Sequence, residues 1–189
     1  SGKTRASLSN QEVYPKTEKG NIPLRVGVGG TPQSVVRTAR LNAHLALAII
    51  GGDPARFAPF ADLYRSSMAD FGHALLPISI HSPGHLAETD EQAMEEQWPH
   101  YYKMVSRIGS ERGWSPPTPE QFAQECAYGS QYVGSPETVA RKIVHAIKSV
   151  GAERFDFKYA NGSQPHSKLM KSIELYGTKV IPLVKEMLA

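Results

Sequence analysis

Leu24-Arg25-Val26-Gly27-Val28-Gly29-Gly30-Thr31-Pro32-Gln33-Ser34-Val35-Val36-Arg37 decides how this chain reads. A valine-rich run ends in two glycines, and threonine and proline then open a segment with helical character. Threonine can cap the first free amides of a helix, and proline fits the first helical position, where no N–H is needed. The order is therefore strand, tight turn, helix. The signature returns 104 positions later as Gly134-Ser135-Pro136-Glu137-Thr138-Val139-Ala140-Arg141. A helix start gathers unpaired amides and a partial positive charge, so either copy could hold an anion. The second copy carries Glu137, a carboxylate that satisfies the helix dipole itself and repels a phosphate. The first carries the neutral Gln33 after glycines that let a ligand approach the backbone. Copy one reads as a phosphate site, with a plain helix cap as the alternative, and copy two as an ordinary capped helix.

Working outward, three more apolar runs stand before or after helical material. The expected strands are residues 24–29, 45–50, 75–81 and 154–159. Runs that are apolar throughout suit strands covered on both faces, as in parallel sheets with crossover helices. Helices are expected over 32–42, from Gly51-Gly52-Asp53-Pro54 to Phe71, and from Thr89 to Arg112. A further helix follows copy two, and another closes the chain. His81-Ser82-Pro83-Gly84-His85 reads as a loop. Gly113-Trp114-Ser115-Pro116-Pro117-Thr118-Pro119 reads as a rigid surface connection. Residues 1–22, polar and punctuated by Pro15 and Gly20, read as an extended lead-in to a domain over 23–189. Four βα units amount to half of a (β/α)₈ barrel of about 250 residues. A half barrel leaves strand edges unpaired.

Composition narrows the function classes. A net charge of +3 with no basic run longer than two argues against a nucleic-acid or membrane-surface partner. Leu45 to Ile50 is the longest apolar run, far short of a membrane span. The single cysteine, Cys126, precludes an internal disulfide and fits a reducing, cytoplasmic setting. No His, Cys or carboxylate pattern suggests a metal site or a hydrolase.

The stretch 24–34, together with Leu47-Ala48-Ile49-Ile50-Gly51-Gly52-Asp53-Pro54-Ala55-Arg56-Phe57, resembles the C-terminal half of a bacterial luciferase-like flavin monooxygenase. Tyr132 to Ala140 is similar to that family's late helix start, and Ile173 to Pro182 to its closing helix. The resemblance implies an α/β fold, the C-terminal half of a (β/α)₈ TIM-type barrel with four parallel βα units. It implies a monooxygenase that oxidises an organic substrate with O₂ and reduced FMN, or in sister groups an oxidoreductase that uses a deazaflavin. It places the flavin phosphate on Gly29, Gly30 and Thr31, with Ser34 as a further contact. A separate flavin reductase is the implied source of reduced cofactor. The family's first four strands have no counterpart here. The chain alone is therefore expected to be inactive, a truncated or nicked product completed by the missing N-terminal half or by a second copy of itself. A non-catalytic flavin-binding half barrel that dimerises is the reading from another class.

Barrel active sites sit at the C-terminal ends of the strands. His81, closing the third strand, is the candidate proton-transfer group, since imidazole titrates near neutral pH. Ser82, Lys158 and Tyr159 are candidate substrate contacts. Alternation puts Asp156 and Lys158 on one face, where an ion pair between them is expected. His85 is expected to be solvent-exposed in its loop, and His44 to be structural. His166 is placed either at the pocket or at a helix cap. Arg37 and Arg56 read as exposed helix charges, and Trp98, Tyr101 and Tyr102 as helix-face packing.

Overall fold

Along Arg25–Val28, His44–Ala48 and Arg154–Lys158, apolar side chains packed in the core alternate with exposed or half-buried ones, so these strands are covered on one face and not, as expected, on both. In the computed structural model, which describes residues 2–20 and 22–189, these strands join one parallel sheet. Residues 2–20 form no helix or strand and are exposed. Strand β1 (Arg25–Val28) leads to helix α1 (Pro32–Arg40), and β2 (His44–Ala48) follows. A 3₁₀ turn (Pro54–Phe57) and helix α2 (Ala58–Asp70) connect to β3 (Ser79–Leu86). Helices α3 (Asp90–Arg112) and α4 (Pro119–Ala127) then precede β4 (Tyr132–Gly134) and α5 (Pro136–Val150). Strand β5 (Arg154–Lys158), α6 (His166–Leu175), a π-helical turn (Tyr176–Val180) and α7 (Ile181–Leu188) complete the chain.

The strands run β1-β2-β3-β4 in parallel, and β5 also pairs with β3. Strand β3 thus has two partners on one side: β5 along Ser79–Pro83 and β4 along Gly84–Leu86. The four expected strands form the path β1-β2-β3-β5, while β4 is a short fifth strand absent from the sequence reading. Glycine is needed where the partner changes. A side chain at Gly84 would collide with the Tyr132 carbonyl and the Phe157 ring.

The third strand corrects the sequence reading. Leu75, Leu76 and Pro77 lie outside any strand, and the expected loop 81–85 is extended and paired. Pro83 misled because proline removes a ladder donor. The structure replaces that donor locally. The Ile49 amide donates to the His81 carbonyl (3.0 Å), so in an evenly spaced parallel ladder the Ile49 carbonyl would next receive the amide of residue 83. The Ser82 hydroxyl donates to it instead, at 2.8 Å.

Val28, Leu45, Leu47, Ile78 and Ile80 face the helices and form the core with Val35, Tyr64, Val139 and Ile143. Phe155 and Phe157 of β5 pack on the same cluster. The alternate residues, Arg25, Gly27, Ala46, Ala48, His81, Asp156 and Lys158, line the other face and are exposed or half-buried. That face is small and polar, unlike the packed interior of a closed barrel. A second cluster joins Phe122 and Cys126 to Trp98 and Tyr101, fixing α3 against α4. Burial pushes the Cys126 thiol up to about 12, so it is an inert packing residue.

Lys142 anchors the end of α4. Its Nζ donates to the carbonyls of Gln131 (2.7 Å), Glu125 (3.4 Å) and Cys126. It also lies 5.1 Å from the Tyr132 ring centre. Methionine would fill the space but leave those carbonyls without a donor. Lys142→Met is expected to cost about 2–3 kcal/mol, read as a fall in Tm of roughly 5–10 °C by circular dichroism.

Candidate functional site

Strand–helix turns at the C-terminal edge of the sheet offer backbone amides, and how each turn is satisfied separates them. At the β4–α5 turn, Ser135 Oγ accepts from the Thr138 amide (3.4 Å). Asp90, the first residue of α3, accepts from the Ser135 amide at 2.6 Å and from Thr138 Oγ1 at 2.9 Å. Burial alone would raise the Asp90 pKa. The bonds from Ser135 and Thr138 and the charge of Arg141 outweigh it and hold the carboxyl below its ordinary value. Glu137 stands in the first turn of this capped helix as expected, and a second carboxylate, Asp90, makes the hydrogen bonds to its start.

The turn after β2 is also filled from within. The Gly52 amide donates to both carboxylate oxygens of Glu125 in α4, each at 3.2 Å. Asp53 accepts from the Ala55 amide at 2.9 Å. The β1–α1 turn differs. Thr31 holds the N-cap position with extended φ and ψ, yet its side chain caps no amide. Its hydroxyl donates to Ser34 Oγ at 2.8 Å, leaving two adjacent exposed hydroxyls. No acidic residue stands in the first turn of α1. Gly30 has φ +123°, a conformation that L side chains rarely adopt, and this aims the following amides past the strand end. Helix α6 likewise begins without a side-chain cap, at Pro165. Its first turn carries Lys168, which pairs with Glu96 at 3.4 Å. Among the described strand–turn–helix junctions that start with paired glycines, only that of Gly29 and Gly30 receives no carboxylate.

The candidate residues on the strands separate by face. His81 lies half-buried on the face turned from the helices, with Ala48 and Asp156 as its register neighbours on β2 and β5. Ser82 points the other way, is fully buried, and is occupied with Ile49, so it does not share a pocket face with His81. Asp156 pairs with Arg154 at 2.6 Å and not with Lys158, which corrects the expected ion pair. Arg154 and Lys158 both stand two residues from Asp156 on this face, and it is the Arg154 guanidinium that makes the contact. Lys158 and Tyr159 are exposed at the strand end.

His85 is also a correction. It is wholly buried, and its Nε2 lies 2.8 Å from Glu96 on α3. Burial outweighs the neighbouring carboxylate and lowers its pKa, so the neutral ring donates Nε2–H to Glu96. His44 has its Nδ1 3.3 Å from the Pro77 carbonyl, and His166 opens α6.

Sequence reasoning did not find the cavity beside these strand ends. It measures about 310 Å³ and lies between Ile50, Pro83, Lys158 and the α3 side chains Tyr101, Met104, Val105 and Ile108. Trp114 and Arg112 form its rim, and Gln131 and Asn161 its amide wall. Period-3.6 spacing of Tyr101, Val105 and Ile108 was the available signal, but packing and pocket faces look alike in such a pattern.

A sequence model of the family described as luciferase-like monooxygenase matches residues 1–154. The chain belongs to the luciferase-like monooxygenase family. Solved structures share its fold at low identity. Monooxygenase RslO1 from Streptomyces bottropensis aligns at 18% identity and TM-score 0.70, over 89% of this chain and 50% of its own. The oxygenating constituent of 3,6-diketocamphane monooxygenase from Pseudomonas putida, solved with FMN, aligns at 14% identity and TM-score 0.65, over 85% and 48%. The coenzyme F420 dependent tetrahydromethanopterin reductase from Methanopyrus kandleri aligns at 18% identity and TM-score 0.60, over 85% and 50%. The chain thus spans about half the length of these barrel enzymes. No curated protein gives a significant match. Among the described residues, no helix is long and apolar enough to cross a membrane, and no group of three or more potential ligands could hold a metal ion.

Proposed function

We propose that this luciferase-like chain is the flavin-phosphate-binding half of an FMN-dependent monooxygenase, with the phosphate at Gly29, Gly30, Thr31 and Ser34. One observation carries the reading: the start of α1 is the paired-glycine turn that the fold leaves without a carboxylate. The residues suit a phosphate. The paired hydroxyls and the Gln33 amide can donate to its oxygens, since Pro32 has no N–H and the Ser34 amide already donates to the Thr31 carbonyl at 3.0 Å, and the helix dipole favours its charge.

Reduced flavin, when bound, supplies the electrons for activating O₂. The chain's own part is to hold the phosphate, line a cavity at the strand ends, and present His81 for proton transfer at its ring nitrogens. Asp156 is the register neighbour of His81 on β5.

The remaining barrel strands would pair along β1. The His44 amide donates to the Leu24 carbonyl, so the peptide groups of alternate residues Arg25 and Gly27 point out of the sheet edge. An unpaired edge of this kind is a template for another strand. The partner is the N-terminal half of the barrel, with a second copy of this chain as the other geometry to be tested by native mass spectrometry.

Calorimetric titration of the protein with FMN and with riboflavin, which lacks the phosphate, tests the cofactor reading. FMN is expected to bind at least about 100-fold more tightly, consistent with two charge-assisted hydrogen bonds. Equal affinities would contradict a phosphate site. Binding of coenzyme F420 in preference to FMN would replace the monooxygenase reading with that of a deazaflavin oxidoreductase.

A further inference from the structure

The cavity under α3 has an uneven chemical lining. Its walls are Ile50, Pro83, Met104 and Ile108, with the Trp114 ring at the mouth. Ile50, just after β2, is 69% exposed and Trp114, just after α3, 55%, so two large apolar side chains of the lining are open to solvent. Two cations, Lys158 and Arg112, complete the lining, and no carboxylate does. Neither cation forms an ion pair among the described residues, whereas Arg154 and Lys168 both do. Arg112 is held in place by its guanidinium over the Trp114 ring, 5.2 Å from the centre. The deep wall is polar but uncharged. Asn161 and Gln131 are buried, and Asn161 Nδ2 donates to Gln131 Oε1 at 3.5 Å.

An apolar slot with cations at its rim and no anion favours a ligand that is apolar along its body and negative at one end. A neutral hydrocarbon would leave both cations unused, and a small polar anion would leave the slot wet. At about 310 Å³ the cavity admits a fused two-ring system or a medium-length chain. We infer that the cavity is the substrate pocket and that it takes an aromatic or aliphatic carboxylate, with Lys158 and Arg112 receiving the carboxylate. This rests on the flavin reading only in making the strand ends the reaction face. The pocket itself lies within this chain.

The test uses 2-naphthoate and its neutral analogue 2-naphthylmethanol, titrated calorimetrically into the protein with and without saturating FMN. Naphthoate is expected to bind about tenfold more tightly than the alcohol, the increment of one charge-assisted contact. Lys158→Gln is expected to remove most of that ratio while leaving the alcohol's Kd unchanged, which also shows that the variant is folded. Arg112→Gln is expected to reduce the ratio in the same sense. Equal binding of the two probes overturns the inference, as does a ratio indifferent to both substitutions. Displacement of naphthoate by FMN also overturns it, because the cavity would then belong to the flavin ring. Loss of the naphthoate preference with FMN binding intact would fault this inference alone. Absent FMN binding with the preference intact would fault the flavin reading alone.

Discussion

Ser34→Asp is expected to weaken FMN binding at least about 100-fold while making the protein more stable. Residue 34 is the third residue of α1, and its hydroxyl lies 2.8 Å from that of Thr31. A carboxylate there meets the Gln33 amide and the positive end of the helix dipole, a gain of about 0.3–1 kcal/mol. The same charge would stand about 4 Å from a bound phosphate, a repulsion of about 4 kcal/mol at an effective dielectric of 20. The variant copies at α1 what Asp90 does at α5. Paired measurements of FMN affinity and Tm check both signs. If α1 is an ordinary helix start, the stability gain remains and FMN affinity does not change.

Asp90→Ala is expected to be the most destabilising single change at this edge of the sheet. One carboxylate serves two helices: it lies in the first turn of α3, and it accepts from the amide that opens α5 and from Thr138 Oγ1. Hydrogen bonds to a charged acceptor contribute about 1.5–3 kcal/mol each. A loss of about 3 kcal/mol, or roughly 6–12 °C in Tm, follows. Because the folded-state pKa of Asp90 is depressed, its contribution is complete above the unfolded value of about 3.9. It is lost as the pH falls through the lower folded value. Urea denaturation should show the gap between wild type and Asp90→Asn narrowing below about pH 4. A gap constant from pH 7 to pH 3 would mean that the charge of Asp90 plays no part.

The sequence told most where a pattern is local. The valine-rich run and the glycine–threonine–proline order located β1 and α1, because a short apolar run and turn chemistry are properties of neighbouring residues. Reading failed where a distant group completes the local structure. Pro83 and Gly84 look like a loop unless Ser82 is known to supply the missing donor, and unless Tyr132 and Phe157 are known to need the space at Gly84. His85 looks exposed unless Glu96, eleven residues on, is placed against it. The two helix starts differ less through Gln33 and Glu137 than through Asp90, which no spacing rule brings to α5. The cavity was hidden for the same reason: its walls are helix-face residues of α3, and only the fold shows which face meets the strand ends.

The most direct test of the central claim is a backbone amide NMR titration with FMN. Binding at the first paired-glycine turn predicts the largest shifts at Gly29, Gly30, Thr31, Gln33 and Ser34, with the amides of Gly52 and Ser135 unmoved because carboxylates already hold them. Shifts centred on the start of α6, or no response at the β1–α1 turn while FMN binds, would contradict the account.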